Sequence, residues 1–180
     1  RQMCIRDRLY RKELLKQLKI RTPKVLIVCH TEPYRLPCDH EYAINISSVE
    51  QVLLDKNNSK ACNLPHELAV AADAYYKHLM SSEYQHWTNE QWYMELDRLC
   101  EEHNIEKVIH FFSFNEQRCI INTFKRGVTV NTPLITYAVQ DDDSANHYNK
   151  EMNIKLANAV INLIKNYPGD NVRVHIDLFK

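Results

Sequence analysis

Uninterrupted runs of Val, Ile, Leu and Phe recur along this chain and predict β-strands that are buried on both faces. The four longer runs lie at residues 24–29, 106–112, 134–139 and 172–178, and a shorter strand is predicted at 42–46. Between the runs, apolar residues recur every three or four positions and predict amphipathic helices. These helices lie at 9–20, 47–55, 65–81, 88–103, 113–126 and 149–167.

Alternation of buried strands with helices indicates an α/β fold. We expect a Rossmann-like, mostly parallel sheet with helices on both faces and a helical insertion at residues 64–104. The four longer strands should be parallel neighbours in one sheet, and each crossover should be right-handed.

A length of 180 residues predicts one domain, and we place it at 23–180, after an N-terminal segment at 1–22. The first eight residues, RQMCIRDR, resemble translated sequencing-adapter sequence and are left out of the fold prediction. Because the last predicted element is a strand with no helix after it, we expect a longer protein to continue past Lys180.

Charge and cysteine usage exclude several classes of protein. Lys and Arg together number 23, as do Asp and Glu, so the chain lacks the basic excess typical of proteins that bind duplex nucleic acid. No run of eighteen apolar residues is present, so no membrane span is predicted. The six cysteines form no C-x-x-C pair, which predicts reduced thiols and a cytoplasmic protein.

Glycine is rare, and this narrows the ways in which a ligand can bind. The only two are Gly127 and Gly169, so neither a Walker loop nor a G-x-G-x-x-G turn can form. A phosphate would have to be held by helix N-termini, hydroxyls and cationic side chains.

Ligands of open parallel sheets bind at the carboxyl ends of the strands, and this rule selects the candidate site. The predicted ligand-binding residues follow the predicted strands or lie at their ends: His30, Thr31, Glu32, Ser47, Ser48, Ser113, Phe114, Asn115, Arg118, Gln140, Asp141 and Asp177.

Two of these junctions share a strand–serine–helix pattern, at Ser47–Ser48 and at Ser113. A capped helix N-terminus offers free N–H groups to an anion, although serines at such positions also act as caps alone. Arg118, in the first turns after Ser113, is the predicted nearby cation. The acidic run Asp141-Asp142-Asp143 could hold a metal or a ribose, or form a solvated turn. The spacing of His30, Cys38 and their neighbours fits no metal-ligand pattern, so no metal or cofactor is predicted.

From residue 105 onward the chain resembles a CARF domain, the CRISPR-associated Rossmann fold. The resemblance rests on Phe112-Ser113-Phe114 after a strand, on the strand, polar loop and helix at 134–166, and on Val174-His175-Ile176-Asp177. In that family such a final strand leads into a D-x-T-x-G loop, whereas here Leu178-Phe179-Lys180 follows. The resemblance implies a homodimer that binds a cyclic oligoadenylate across its two-fold axis and controls an attached effector in type III CRISPR antiviral defence. Some members of the family also cleave the cyclic oligoadenylate, so the resemblance leaves open whether the chain is a sensor or a ring nuclease.

Two alternatives remain open. The segment Cys29-His30-Thr31-Glu32-Pro33-Tyr34 looks like the opening of bacterial capsular glycosyltransferases, and the resemblance implies a metal-dependent sugar-nucleotide enzyme with Asp141 and Asp143 at the metal. The other alternative is an interaction module without enzymatic activity.

Overall fold

The computed structural model describes residues 7–30, 36, 44, 46–54, 64–113, 124–141 and 144–178. Two compact units divide the chain. One unit comprises residues 1–12 and 33–89, and the other comprises 13–32 and 90–180.

The described residues form five α-helices, one 3-10 helix and six strands. The α-helices are α1 (Asp7–Ile20), α2 (Ile46–Leu54), α3 (His66–His78), α4 (Ser82–Glu102) and α5 (Lys150–Lys165), and the 3-10 helix is Leu134–Tyr137. The strands are β1 (Val25–His30), β2 (Lys107–Phe112), β3 (Val128–Val130), β4 (Val139–Asp141), β5 (Ser144–His147) and β6 (Val172–Val174).

Four of the strands form an all-parallel sheet in the order β1-β2-β3-β6. Val28 pairs with His110, His110 with Thr129, and Thr129 with Arg173, which fixes the register across the sheet. The predicted α/β fold is confirmed, and it is Rossmann-like.

The third strand is not where the sequence predicted it. Residues 134–137 form the 3-10 helix instead, after Pro133, and β4 pairs antiparallel with β5 in a separate hairpin. The parallel strand is β3, a buried three-residue segment directly after Gly127. The last strand is also shorter than predicted, because β6 ends at Val174. Of the short strand predicted at 42–46, Ile44 forms only an isolated bridge and Ile46 already begins α2.

Helices cover both faces of the sheet, since successive strand residues point to opposite faces. On one face, Leu96 of α4 packs in a cluster with Val108. On the other, Leu156 and Val160 of α5 pack in a cluster with Ile109. Helices α4 and α5 therefore lie on opposite faces of the sheet. The right hand expected for each crossover stays a prediction, because residues 33–89 of the other unit lie between β1 and β2 in the chain.

The other unit is built around the pair α2 and α3. Val49 and Val52 of α2 form a buried cluster with Ala69 and Ala72 of α3 and with Leu64. The alanines allow the two helix backbones to approach closely, because their side chains are small. This unit contains the first of the helices predicted for the insertion.

Candidate ligand site at the carboxyl edge of the sheet

Three segments meet where β1 and β2 end. The backbone N–H of Ser113 donates to the carbonyl of His30 at 2.8 Å, and the carbonyl of Ser113 accepts from the N–H of Ile135 at 3.0 Å. Ser113 is partly exposed, whereas Phe112 before it is buried. The serine is therefore held by its backbone on two sides at the carboxyl edge of the sheet.

Polar groups also follow β3 and β6, and the sequence analysis missed most of them. The backbone N–H of Asn131 donates to the carbonyl of Val174 at 2.9 Å, and the side-chain Nδ2 of Asn131 lies 3.4 Å from Nε2 of His175. The hydroxyls of Thr132 and Tyr137 both donate to the carbonyl of Ile176. Asn131 and Thr132 were missed because the strand that precedes them was not predicted.

Asp177, a predicted site residue, is exposed and lines two open grooves beside α5. The larger groove has a volume of about 440 Å³, and the smaller has about 200 Å³. The residues that line the larger are Ala159, Asn162, Leu163, Asn166, Pro168, Val174, His175, Ile176 and Asp177. The smaller is lined by Lys155, Asn158, Ala159, Asp177 and Leu178. Both grooves combine apolar walls with amide, carboxylate or ammonium groups, which is the mixture found in small-molecule sites.

The N-terminus of α5 lies at the same edge. Its last turn is at the opposite edge, because Nζ of Lys107, at the start of β2, donates to the carbonyl of Ile164 at 2.7 Å. Asn149 caps the helix by accepting from the N–H of Met152 at 2.8 Å. The positive end of the helix dipole therefore points toward the carboxyl edge of the sheet.

His30, another predicted site residue, has its side chain in the core. It is 5% exposed, and its Nε2 lies 3.1 Å from Nδ1 of the fully buried His110. Nε2 of His110 lies 3.0 Å from the carbonyl of Arg126, which can only accept. His110 therefore carries its proton on Nε2, and its Nδ1 accepts from Nε2–H of His30. Both rings are neutral in this arrangement.

Burial controls the ionisation of this histidine pair. Rings of Tyr93, Phe112 and Phe124 surround His30, and the ring of Phe124 stacks on His110. Burial lowers the pKa of His110 to about 4. Burial, and then repulsion from His110, hold the pKa of His30 well below 6.5. At neutral pH the pair therefore carries no charge.

Neither Cys29 nor Cys100 is part of a disulfide. Burial raises the pKa of both, that of Cys100 to about 12, so neither is activated as a nucleophile.

For the other predicted site residues, the structure describes no side chain. Thr31, Glu32, Phe114, Asn115 and Arg118 lie outside the described residues. Ser47 and Ser48 lie in the first turn of α2, which begins at Ile46, and Gln140 and Asp141 lie in β4. The side chains of these four lie outside the description as well.

Within the described ranges, no three His, Cys, Asp or Glu side chains are grouped so that they could hold a metal ion. No helix of the described chain combines the length and the apolar character needed to cross a membrane. No protein-family model, curated protein or solved structure matches this chain.

Proposed function

We propose that this chain is a ligand-sensing domain that binds a cyclic oligoadenylate second messenger at the carboxyl edge of its sheet. In this proposal the ligand lies across the two-fold axis of a homodimer, and binding controls an attached or associated effector in type III CRISPR antiviral defence. The CARF resemblance supplies the identity of the ligand and of the pathway. The structure supports the coarser part, a Rossmann-like sheet with a polar carboxyl edge.

The observation that carries the proposal is the position of Ser113. Its backbone is held between His30 and Ile135, which fixes the position of Ser113 at the end of β2. Asn131 and His175 lie at the ends of the neighbouring strands β3 and β6. A row of hydroxyl, amide and imidazole groups beside a helix N-terminus suits a ligand that carries both phosphates and bases.

A homodimer is part of the proposal for a steric reason. With only two glycines, the chain cannot form the Walker loop or the G-x-G-x-x-G turn that encloses a phosphate within one subunit. A second copy of the same edge, related by a two-fold axis, would supply the missing half of an enclosure around a ring-shaped ligand.

Calorimetry with a panel of cyclic oligoadenylates tests the proposal. A charge-assisted hydrogen bond contributes about 1.5–3 kcal/mol, and each 1.4 kcal/mol is about a factor of ten in affinity. Ser113→Ala combined with Arg118→Ala should therefore weaken binding by more than about tenfold. The control, Ser82→Ala with Lys19→Ala, also removes one hydroxyl and one cationic side chain, but from exposed helical positions, and should bind normally.

A second arm of the experiment addresses the glycosyltransferase alternative. Asp141→Asn with Asp143→Asn should change binding of cyclic oligoadenylate little, and manganese should not be required. Binding of a sugar nucleotide that needs a divalent ion and is lost in this Asp variant would contradict the sensor proposal. If the unaltered protein binds neither panel, both ligand hypotheses fail and the interaction module remains.

A further inference from the structure

Helix α4 carries a stripe of large exposed side chains opposite its buried face. Tyr84, Trp87 and Met94 are 57%, 53% and 57% exposed. Gln91 and Arg98 are also exposed and continue the pattern. The steps between these five residues are three, four, three and four, which is the spacing of a helix that packs along another helix. The buried apolar side chains of the same helix, Tyr93, Leu96, Leu99 and Cys100, lie on the other side.

Acidic residues flank this stripe on both sides. Glu83, Glu90 and Glu101 are exposed on one flank, and Glu95 and Glu102 lie on the other. Arg98 neutralises the second flank in part, since it pairs with Glu95 at 2.8 Å and with Glu102 at 2.5 Å. Glu83, Glu90 and Glu101 make no ion pair with any residue that the structure describes. The stripe therefore carries three large apolar side chains, with Gln91 and Arg98 between or beside them, and is negative along its edge.

Charge decides which kind of partner this stripe fits. A second copy would match its apolar pattern, because an antiparallel copy centred on Gln91 would place Trp87 against Met94. The same arrangement would place Glu83 near the second copy's Glu101 and Glu90 near the second copy's Glu90. A parallel copy would set the acidic row against the other acidic flank. Like charges in flanking positions oppose pairing in both orientations.

The three apolar side chains also limit the size of the interface. A fully buried Trp or Tyr contributes about 150–250 Å², and these side chains are already about half buried. They therefore supply a few hundred Å², less than the about 800 Å² per partner of a standard protein interface. The stripe fits one helix rather than the broad face of a folded domain.

From this pattern we infer that the exposed face of α4 is a docking surface for an amphipathic helix with Lys or Arg on both sides of its apolar stripe. This inference does not depend on the ligand proposed above, because it uses no residue of the carboxyl edge.

Fluorescence anisotropy with synthetic helices as long as α4 tests the inference on the full chain. One peptide carries Leu along a stripe with Lys on both flanks, and a second has Glu in place of Lys. A third has the composition of the first in scrambled order. The Lys-flanked helix should bind more than about tenfold tighter than either of the others, and added salt should reduce the difference.

Two sets of variants distinguish docking on the stripe from general attraction to a negative protein. Trp87→Glu with Met94→Glu should weaken binding of the Lys-flanked helix more than about tenfold. Ile154→Glu with Ile161→Glu adds the same charge at exposed apolar positions seven residues apart on α5 and should leave the affinity unchanged. General attraction of the Lys-flanked helix to a negative protein predicts tighter binding in both double variants. Glu83→Gln, Glu90→Gln and Glu101→Gln together should remove most of the preference for Lys.

Gln91→Lys tests the same point without altering an apolar side chain, because Gln91 is exposed at the centre of the stripe. It should weaken binding of the Lys-flanked helix. Equal binding of the three peptides, or an affinity that the Trp87 and Gln91 variants leave unchanged, would overturn the inference. Self-association that the Trp87→Glu, Met94→Glu variant abolishes would identify a second copy as the occupant and would overturn it as well.

Discussion

Acid should destabilise this protein because the His30–His110 pair is buried in its neutral form. In the unfolded chain both imidazoles titrate near 6.5, whereas in the folded protein the pKa of His110 is about 4 and that of His30 is lowered in the same direction. The unfolded state therefore binds more protons as the pH falls. The free energy of unfolding is highest above 6.5, decreases between 6.5 and about 4, and levels off below the folded pKa values.

The magnitude follows from the shift of His110. Proton linkage relates the pKa of 6.5 in the unfolded chain and of about 4 in the folded protein to stability. For this residue, the free energy of unfolding decreases by about 1.4 kcal/mol between about pH 7.5 and about pH 5.5. His30 adds a loss of the same sign. Asp97 acts in the opposite direction, since burial raises the pKa of its carboxyl group above the ordinary 3.8. The interval between about pH 7.5 and about pH 5.5 contains the ordinary pKa of histidine, so the histidine contribution changes most steeply there.

Urea unfolding followed by circular dichroism across this interval measures the effect, and hydrogen exchange of the β1 and β2 amides locates it. His110→Gln should reduce the pH dependence, because the Gln amide can donate to Arg126 and accept from His30 but does not titrate in this range. The control His78→Gln removes an exposed histidine from α3 and should leave the pH dependence as it was. A stability that stays constant or rises from about pH 7.5 to about pH 5.5 would refute the reasoning.

Two further predictions concern backbone positions. Gly127 and Gly169 both have positive φ, +93° and +104°, but a Cβ on Gly127 would lie 2.7 Å from the carbonyl oxygen of Val108, whereas one on Gly169 meets nothing within 4 Å. In urea unfolding, Gly169→Ala should cost about 1–2 kcal/mol and Gly127→Ala about 3 kcal/mol or more, and equal losses would contradict the steric argument. Asn149→Ala should cost about 1 kcal/mol, since it removes the acceptor for the N–H of Met152, while Asn149→Asp should keep the cap; a loss of similar size in both variants would contradict the capping role.

The parts of the fold that the sequence predicts well are long and strongly patterned. β1, β2 and α5 were predicted to within about two residues, because six-residue apolar runs and a long amphipathic repeat leave few alternatives. β3 was missed because Val128-Thr129-Val130 is only three residues long and follows a glycine. Residues 134–139 look like a strand by composition. Contacts distant in sequence, such as the one between Ile135 and Ser113, hold most of them in a 3-10 helix.

Helix α4 shows how a local signal can mislead. The sequence predicted a helix that begins at Thr88, a residue type that often caps helices, but the helix begins at Ser82. The hydroxyl of Thr88 donates back to the carbonyl of Gln85 at 2.9 Å, which is how threonine satisfies its side chain within a helix. The earlier start places Tyr84 and Trp87 on α4, and only then does the exposed stripe become visible.

The candidate site was predictable in position but not in detail. That a ligand edge forms at the carboxyl ends of parallel strands follows from the fold class alone, so Ser113 and Asp177 could be selected from the sequence. Asn131 and His175 are neighbours only because β3 pairs with β6. Likewise, nothing local connects His30 with His110, which lie eighty positions apart. Strand pairing and register depend on contacts between distant segments, which local sequence patterns do not show.

The histidine pair lies in the core of the sheet, but it also affects the geometry of the candidate site. In the observed register, His30 donates to His110 and His110 donates to Arg126. A slip of β1 by one residue against β2 would turn His30 to the other face and leave His110 without its donor. Each buried group left without a partner costs about 1–3 kcal/mol, whereas a satisfied pair adds little to stability. The pair therefore acts mainly by selecting one register, and that register aligns the ends of β1 and β2 so that Ser113 can donate to the carbonyl of His30.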